Sequence, residues 1–98
     1  MFVVSLTYLV PLERVDALLA EHVAWLDRHY GAGVFLASGR KEPRTGGVIL
    51  AVAGSRAEVE EIVAADPFAV HGIARHEVTE VLVTRAAPEL ASALITPA

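Results

Sequence analysis

Gly47-Val48-Ile49-Leu50-Ala51-Val52-Ala53 sets the architecture, because it is apolar along both sides of what reads as a strand. Alternate side chains of an extended chain point to opposite faces. Val48, Leu50 and Val52 therefore share one face, and Ile49, Ala51 and Ala53 share the other. A sheet with one wet face alternates apolar with polar residues. This strand does not, so each of its faces needs a cover. Upstream, Val34 to Gly39 predicts a second strand, joined to the first by the polar loop Arg40-Lys41-Glu42-Pro43-Arg44-Thr45-Gly46. Further back, Phe2 to Leu9 is rich in β-branched and aromatic residues and stops before Pro11. There Phe2, Val4 and Leu6 face one way, and Val3 faces the other with Ser5 and Thr7. Downstream, about Arg75 to Thr84 predicts a last strand, with Val78 and Leu82 opposing Val81 and Val83.

Two helical stretches separate these strands. From Pro11 to about Tyr30, the residues Val15, Leu18, Leu19, His22, Leu26 and Tyr30 recur at helical spacing and form one stripe. Gly31 and Gly33 then end the helix, since glycine accepts the positive φ of a C-terminal cap. Ser55 and Glu58 have the spacing of a capping box and open a second helix, with Val59, Ile62 and Val63 on its apolar side. It stops near Asp66, because Pro67 disfavours helical geometry in the residue before it. A short turn, Phe68 to Gly72, leads into the last strand.

The order β-α-β-β-α-β predicts an α+β, ferredoxin-like fold, an antiparallel sheet with both helices on one face. The whole chain, 1–98, reads as one domain with a core over about 2–85 and a tail over 86–98. That tail contains Pro88 and Pro97, and a helical turn is expected near Glu89–Leu94. Two helices cover only one face of the sheet. The other is expected to pack on the same sheet of a second copy, since a two-fold, self-complementary contact is the commonest form of self-association. Composition agrees: 54% of the residues are apolar and 20% charged, against a usual ~45–50% and ~25%. A chain of this length buries only roughly two-thirds of its surface by itself.

Charge and composition also exclude function classes. A net charge of −4 without a basic cluster argues against nucleic acid as a partner. No apolar run approaches the ~18 residues of a membrane-spanning helix, and no secretory leader is evident. A cytoplasmic protein is expected. The absence of cysteine excludes disulfides, thiolate metal sites and cysteine nucleophiles.

His22 is the most informative residue, because its stripe aims a polar ring at the sheet. It is either a core histidine bonded to a backbone carbonyl or a working group. Asp66 sits where the second helix ends, at the unfavourable pole for a carboxylate. It is either a cap for the segment after Pro67 or a partner for His22. In this fold the middle of the first helix comes near the end of the second, and a carboxylate beside an imidazole fixes its tautomer and raises its basicity. Gly39, in Ser38-Gly39-Arg40, leaves room for a ligand or another backbone. His29 falls one heptad after His22 and borders the same pocket or serves the helix end; His71 and His76 flank the start of the last strand. No element carries histidines at metal-ligand spacing, so no metal is expected. Arg40, Lys41 and Arg44 form a small basic loop, and Trp25 reads as a packing residue.

Several motifs, in order, resemble the YCII-related (YciI-like) family of the dimeric α+β barrel superfamily. They are Glu21-His22-Val23-Ala24-Trp25-Leu26, then Gly33-Val34-Phe35-Leu36-Ala37-Ser38-Gly39, then Pro43-Arg44-Thr45-Gly46-Gly47-Val48-Ile49-Leu50, then Ala65-Asp66-Pro67-Phe68. The resemblance runs from Phe2 to about Arg85. It implies a small homodimer whose catalytic pair is His22 and Asp66. Ser38 and Gly39 are implied to line the same pocket, and Arg40, by its position alone, is expected to bind substrate there together with Pro67 and Phe68. One branch of the family removes chloride from chlorinated hydroxyhydroquinones. Where many relatives have proline after Ser-Gly, this chain has Arg40, which changes the charge at the pocket mouth.

The expectation is a cofactor-independent, dehydrochlorinase-like lyase or isomerase that moves a proton on an oxygenated or aromatic small molecule through His22 and Asp66. Its rivals are a non-catalytic ligand-binding or regulatory module and a cofactor-free monooxygenase. No dinucleotide fingerprint or phosphate-cradling loop points to a cofactor.

Overall fold

The computed structural model describes residues 1–95; the end of the expected tail, Thr96 to Ala98 with Pro97, lies outside the described residues. The elements are β1 (Phe2–Tyr8), α1 (Leu12–Ala17), α2 (Leu19–Gly31), β2 (Phe35–Arg40), β3 (Gly46–Ala51), α3 (Arg56–Ala64), α4 (Pro67–Val70), β4 (Ala74–Glu80) and α5 (Pro88–Leu94). The four strands form one antiparallel sheet in the order β2-β3-β1-β4. This is the expected α+β class, with short helices added to the β-α-β-β-α-β series.

Phe2, Val4 and Leu6 of β1 and Ile49 and Ala51 of β3 are buried against Val15, Trp25, Val59, Val63 and Phe68. All the helical residues in that cluster therefore lie over one face of the sheet. Each fully buried aliphatic side chain there, such as Val4 or Val15, contributes about 1.5–3 kcal/mol. Trp25 is the packing residue expected, only 1% exposed. Its indole Nε1 donates to the Ile62 carbonyl at 3.1 Å and ties α2 to α3.

The first helix differs from expectation. It breaks at Leu18, whose φ of −109° and ψ of 3° end α1 and begin α2. The long stripe becomes two short faces: α1 buries Val15, and α2 buries His22 and Trp25. Leu19 and Tyr30 are left at the rim, 38% and 36% exposed. Gly31 is the last residue of α2, and Gly33 supplies the turn with φ of +76°. The Gly33 and Val34 N–H groups donate to the carbonyls of Tyr30 and His29, a Schellman cap. At the start of α3 the Ser55 hydroxyl accepts from the Glu58 N–H, and the Glu58 carboxylate reaches back to the Gly54 N–H.

β4 is also shorter than expected. It ends at Glu80, with Val81 still exchanging backbone hydrogen bonds with Met1, so Leu82 to Thr84 lie beyond the sheet and Leu82 is 87% exposed. Residues paired across strands point to the same face, which puts Val78 opposite Val4 on the helix side. The other face carries Thr79, Glu77 and Arg75 from β4, paired with Val3, Ser5 and Thr7. Its apolar part centres on Val3, Val48 and Leu50, all half-buried, with Ala37 paired beside Leu50.

In β2 the register slips between Phe35 and Ala37. Strict alternation from Phe35 would put Ser38 and Arg40 on the face away from the helices. The bulge reverses this, because Ser38 pairs with buried Ile49 and Arg40 with Gly47. A bulge commonly re-aims side chains in this way beside a functional pocket.

Candidate active site

The second helical region ends in a tight turn that places Asp66 at the N-cap of α4, with Pro67 in its first turn. There the Asp66 Oδ1 accepts the Phe68 N–H at 3.0 Å. The same oxygen lies 2.8 Å from Nδ1 of His22 on α2. Capping and pairing, posed as alternatives by the sequence, are both performed by one carboxylate. Its other oxygen, Oδ2, lies 2.7 Å from Nε2 of His76 on β4. The Asp66 side chain has no exposed area.

Burial pushes the Asp66 carboxyl upward, but hydrogen bonds from His22 and His76, with help from the Phe68 N–H, outweigh it and hold the group below the usual carboxylate range. An ionised carboxylate only accepts hydrogen bonds. Both imidazoles therefore donate to it, His22 from Nδ1 and His76 from Nε2. In the neutral ring this leaves His22 Nε2 as the nitrogen with the lone pair, the form that takes a proton. Among the described residues no protein group bonds that nitrogen, yet no buried side-chain nitrogen or oxygen lacks a partner. The Nε2 is therefore open to solvent.

It opens on a cavity of about 230 Å³ between α2, β1, β3 and the end of β2. Leu6, Leu26, Ile49 and Phe68 make apolar walls, while Tyr8, Ser38 and Arg40 add polar groups. The His22 ring lies flat on Phe68, with centroids 4.1 Å apart and planes 6° from parallel. The Trp25 ring lies 5.5 Å from it, tilted by 33°. The Ser38 hydroxyl is 2.6 Å from the Tyr30 hydroxyl, a link that the β2 bulge makes geometrically available. Arg40 lies at the mouth, where Glu42 approaches it at 3.3 Å in an exposed pair. Arg44 instead holds the hairpin to α1 through Asp16 at 2.5 Å.

Of the expected site residues, His22, Ser38, Gly39, Arg40 and Phe68 line this cavity and two do not. Asp66 and Pro67 do not line the cavity; both lie behind His22, with Pro67 in the first turn of α4. At Gly39 a Cβ would meet open space, so no neighbour within the chain demands glycine there. His29 does not border the cavity either. It packs on Trp25 and Phe35, and burial, with Arg28 beside it, lowers its pKa. The residue that sequence reasoning missed is His76. Ala74, His76 and Val78 alternate along β4, and that spacing alone places His76 on the helix-facing side with Val78. Among the described residues no three or more His, Asp or Glu side chains are arranged to hold a metal ion. Nor is any helix among them long and apolar enough to cross a membrane.

The family model for the YCII-related domain matches residues 1–82. Among solved structures, the chain is similar to the 5-chloro-2-hydroxyhydroquinone dehydrochlorinase of Burkholderia phenoliruptrix, determined in complex with 2,5-dihydroxybenzoquinone. The TM-score is 0.69 and the identity 22%, over 83% of this chain and 93% of the other. At that identity the likeness shows the fold. No curated protein sequence matches the chain.

Proposed function

From a chain that belongs to the YCII-related domain family, we propose a cofactor-independent lyase or isomerase that moves a proton on a small oxygenated, single-ring substrate. The observation that carries this reading is the His22 Nδ1 to Asp66 Oδ1 separation of 2.8 Å, with the other ring nitrogen open to the cavity. A base needs a free lone pair within reach of the substrate and a fixed partner for the charge it gains. His22 has both.

In this mechanism the substrate enters the cavity of about 230 Å³, smaller than the ~300–1,000 Å³ typical of sites for larger ligands. Its ring packs against the apolar walls. Arg40 faces an oxyanion at the mouth, and Ser38 hydrogen-bonds a substrate oxygen. His22 Nε2 removes a proton from the substrate and becomes an imidazolium, stabilised by the adjacent Asp66 carboxylate. The electron pair left behind either expels a leaving group such as chloride as a new double bond forms, or is reprotonated at another carbon by the same imidazolium. The first outcome is elimination and the second isomerisation. The similar dehydrochlorinase supports the first.

We further propose that the chain works as a homodimer packed through Val3, Val48 and Leu50, the half-buried apolar residues that its own helices leave uncovered.

The test is a panel of hydroxylated and halogenated quinols, followed by product chromatography and halide release. Turnover by the wild-type chain, lost in His22→Ala and Asp66→Asn while both stay folded, supports the mechanism. Full rates in both variants would sink it. Binding without conversion favours a ligand-binding module, and oxygen consumption favours a monooxygenase.

A further inference from the structure

His76 stands outside the cavity and yet shares its central carboxylate. On β4 it pairs with Leu6, which turns its ring toward the helices. Its side chain is 6% exposed and donates to Asp66 Oδ2 at 2.7 Å. Oδ1 already accepts from His22 Nδ1 at 2.8 Å and from the Phe68 N–H at 3.0 Å. The donors come from three separate elements: α2, α4 and β4. Turning the carboxylate about its Cβ–Cγ bond would strain all three contacts together.

We infer that His76 is a positioning residue for His22, a conclusion that rests on the reading of His22 as the base. By occupying Oδ2 it fixes the plane of the Asp66 carboxylate, aims Oδ1 at His22 Nδ1 and so keeps the His22 proton there. The bare Nε2 then faces the substrate cavity. Without that anchor, Oδ2 is a buried acceptor with no donor, which costs stability. The carboxylate recovers part of that cost by rotating toward the His22 ring, and Oδ1 loses its fixed aim. His22 is then free to carry its proton on either nitrogen.

His76 exerts this influence without touching substrate. Its remaining nitrogen, Nδ1, has no protein partner among the described residues, and the ring borders a separate, larger groove of about 710 Å³ beside Arg56, Glu60 and Glu77. Nothing bound in the His22 cavity reaches it.

The experiment is nitrogen-15 NMR of histidine-labelled protein at mildly alkaline pH, where the tautomer of each neutral imidazole is read from its two nitrogen shifts. Wild type is expected to hold His22 with its proton on Nδ1, in slow exchange with water. His76→Gln keeps an N–H donor at the reach of Nε2, so it is expected to retain that signature. His76→Phe keeps the ring and volume but loses the donor. There the Nδ1–H population of His22 is expected to fall by about half or more, and its exchange to quicken on the order of tenfold. A purely structural His76 would lower the melting temperature of both variants and leave the His22 tautomer alone, and that result overturns the proposal. Loss of the signature in His76→Gln as complete as in His76→Phe also overturns it. If His76→Phe fails to fold, His76→Asn takes its place, since the shorter amide does not reach Oδ2. Because no substrate is used, failure of the base assignment appears separately, as unchanged turnover in His22→Ala.

Discussion

Phe68 joins the two halves of the site: its ring lies 4.1 Å under the His22 ring, and its backbone N–H donates to Asp66 Oδ1 at 3.0 Å. The side chain is 1% exposed, so truncation opens a cavity as well as removing the stack. Phe68→Ala is expected to lower the unfolding free energy by about 3–5 kcal/mol. Phe68→Leu keeps most of the volume and should cost markedly less, while still freeing the His22 ring to tilt. Urea denaturation of the two variants checks the difference. Equal, small losses would mean that the ring carries little of the core.

The Asp66 carboxyl gives the acid limb of stability a definite sign. Its folded-state pKa lies below the ordinary carboxylate value, whereas an unfolded aspartate titrates near ~3.9. Folding therefore favours the ionised form. That contribution is fully present above about pH 4 and is lost as the pH falls through the lower folded value. The stability gap between wild type and Asp66→Asn is expected to be open at about pH 5 and to narrow below about pH 4. Urea melts over that range test it, and a gap that widens on acidification would contradict the assignment.

How far the sequence revealed this site depends on which physical signal each residue leaves. Helical spacing put His22 against the sheet, and Asp-Pro marked the turn that holds Asp66; both signals are local. The His76 contact is not local, since it depends on which face β4 presents, and the apolar residues expected at Val81 to Val83 drew attention past the true end of that strand. The bulge in β2 escaped the sequence reading because nothing in Phe35-Leu36-Ala37 breaks strand character; only the pairing with β3 reveals the slip. The break at Leu18 was hidden for a related reason. Leucine is a good helix former, and no breaker residue marks the interruption.

Gly46 carries the tightest constraint among the described glycines. A Cβ built there would lie 1.8 Å from the Leu6 carbonyl oxygen, a backbone atom that cannot move without disturbing β1. Gly46→Ala is expected to destabilise by about 1–3 kcal/mol or more, as overpacking does. Gly39→Ala meets open space and should cost little in the isolated chain. Thermal melts of the two variants separate the cases. Similar melting temperatures would mean that the hairpin relaxes easily around residue 46.

At the start of α3, the Ser55 side chain caps the Glu58 N–H at 3.2 Å. Ser55→Ala is expected to cost about 0.5–2 kcal/mol, with Ser55→Asp restoring most of it. Because α3 does not line the cavity, ligand binding should be unchanged. A loss of binding in Ser55→Ala at a temperature where the chain is folded would show that α3 couples to the site.

The uncovered sheet face gives the last prediction. Val3 and Leu50 pair directly across β1 and β3 and point away from the helices, and both are half-buried. Two side chains of this size are unremarkable on a monomer, but here they join Val48 at the centre of an antiparallel sheet. Toward β4 the same face turns polar, with Thr79 opposite Val3 and Glu77 opposite Ser5, as expected of an apolar patch with a wet rim. Leu50→Lys places a charge at the centre of that patch. In a dimer joined there, two such charges would meet across the two-fold axis with no water to solvate them, whereas on a monomer the lysine reaches solvent. Sedimentation velocity is expected to show a dimer for wild type and a folded monomer for Leu50→Lys. A wild-type chain that sediments as a monomer at micromolar concentration would rule out this interface, and a Leu50→Lys dimer would place it elsewhere.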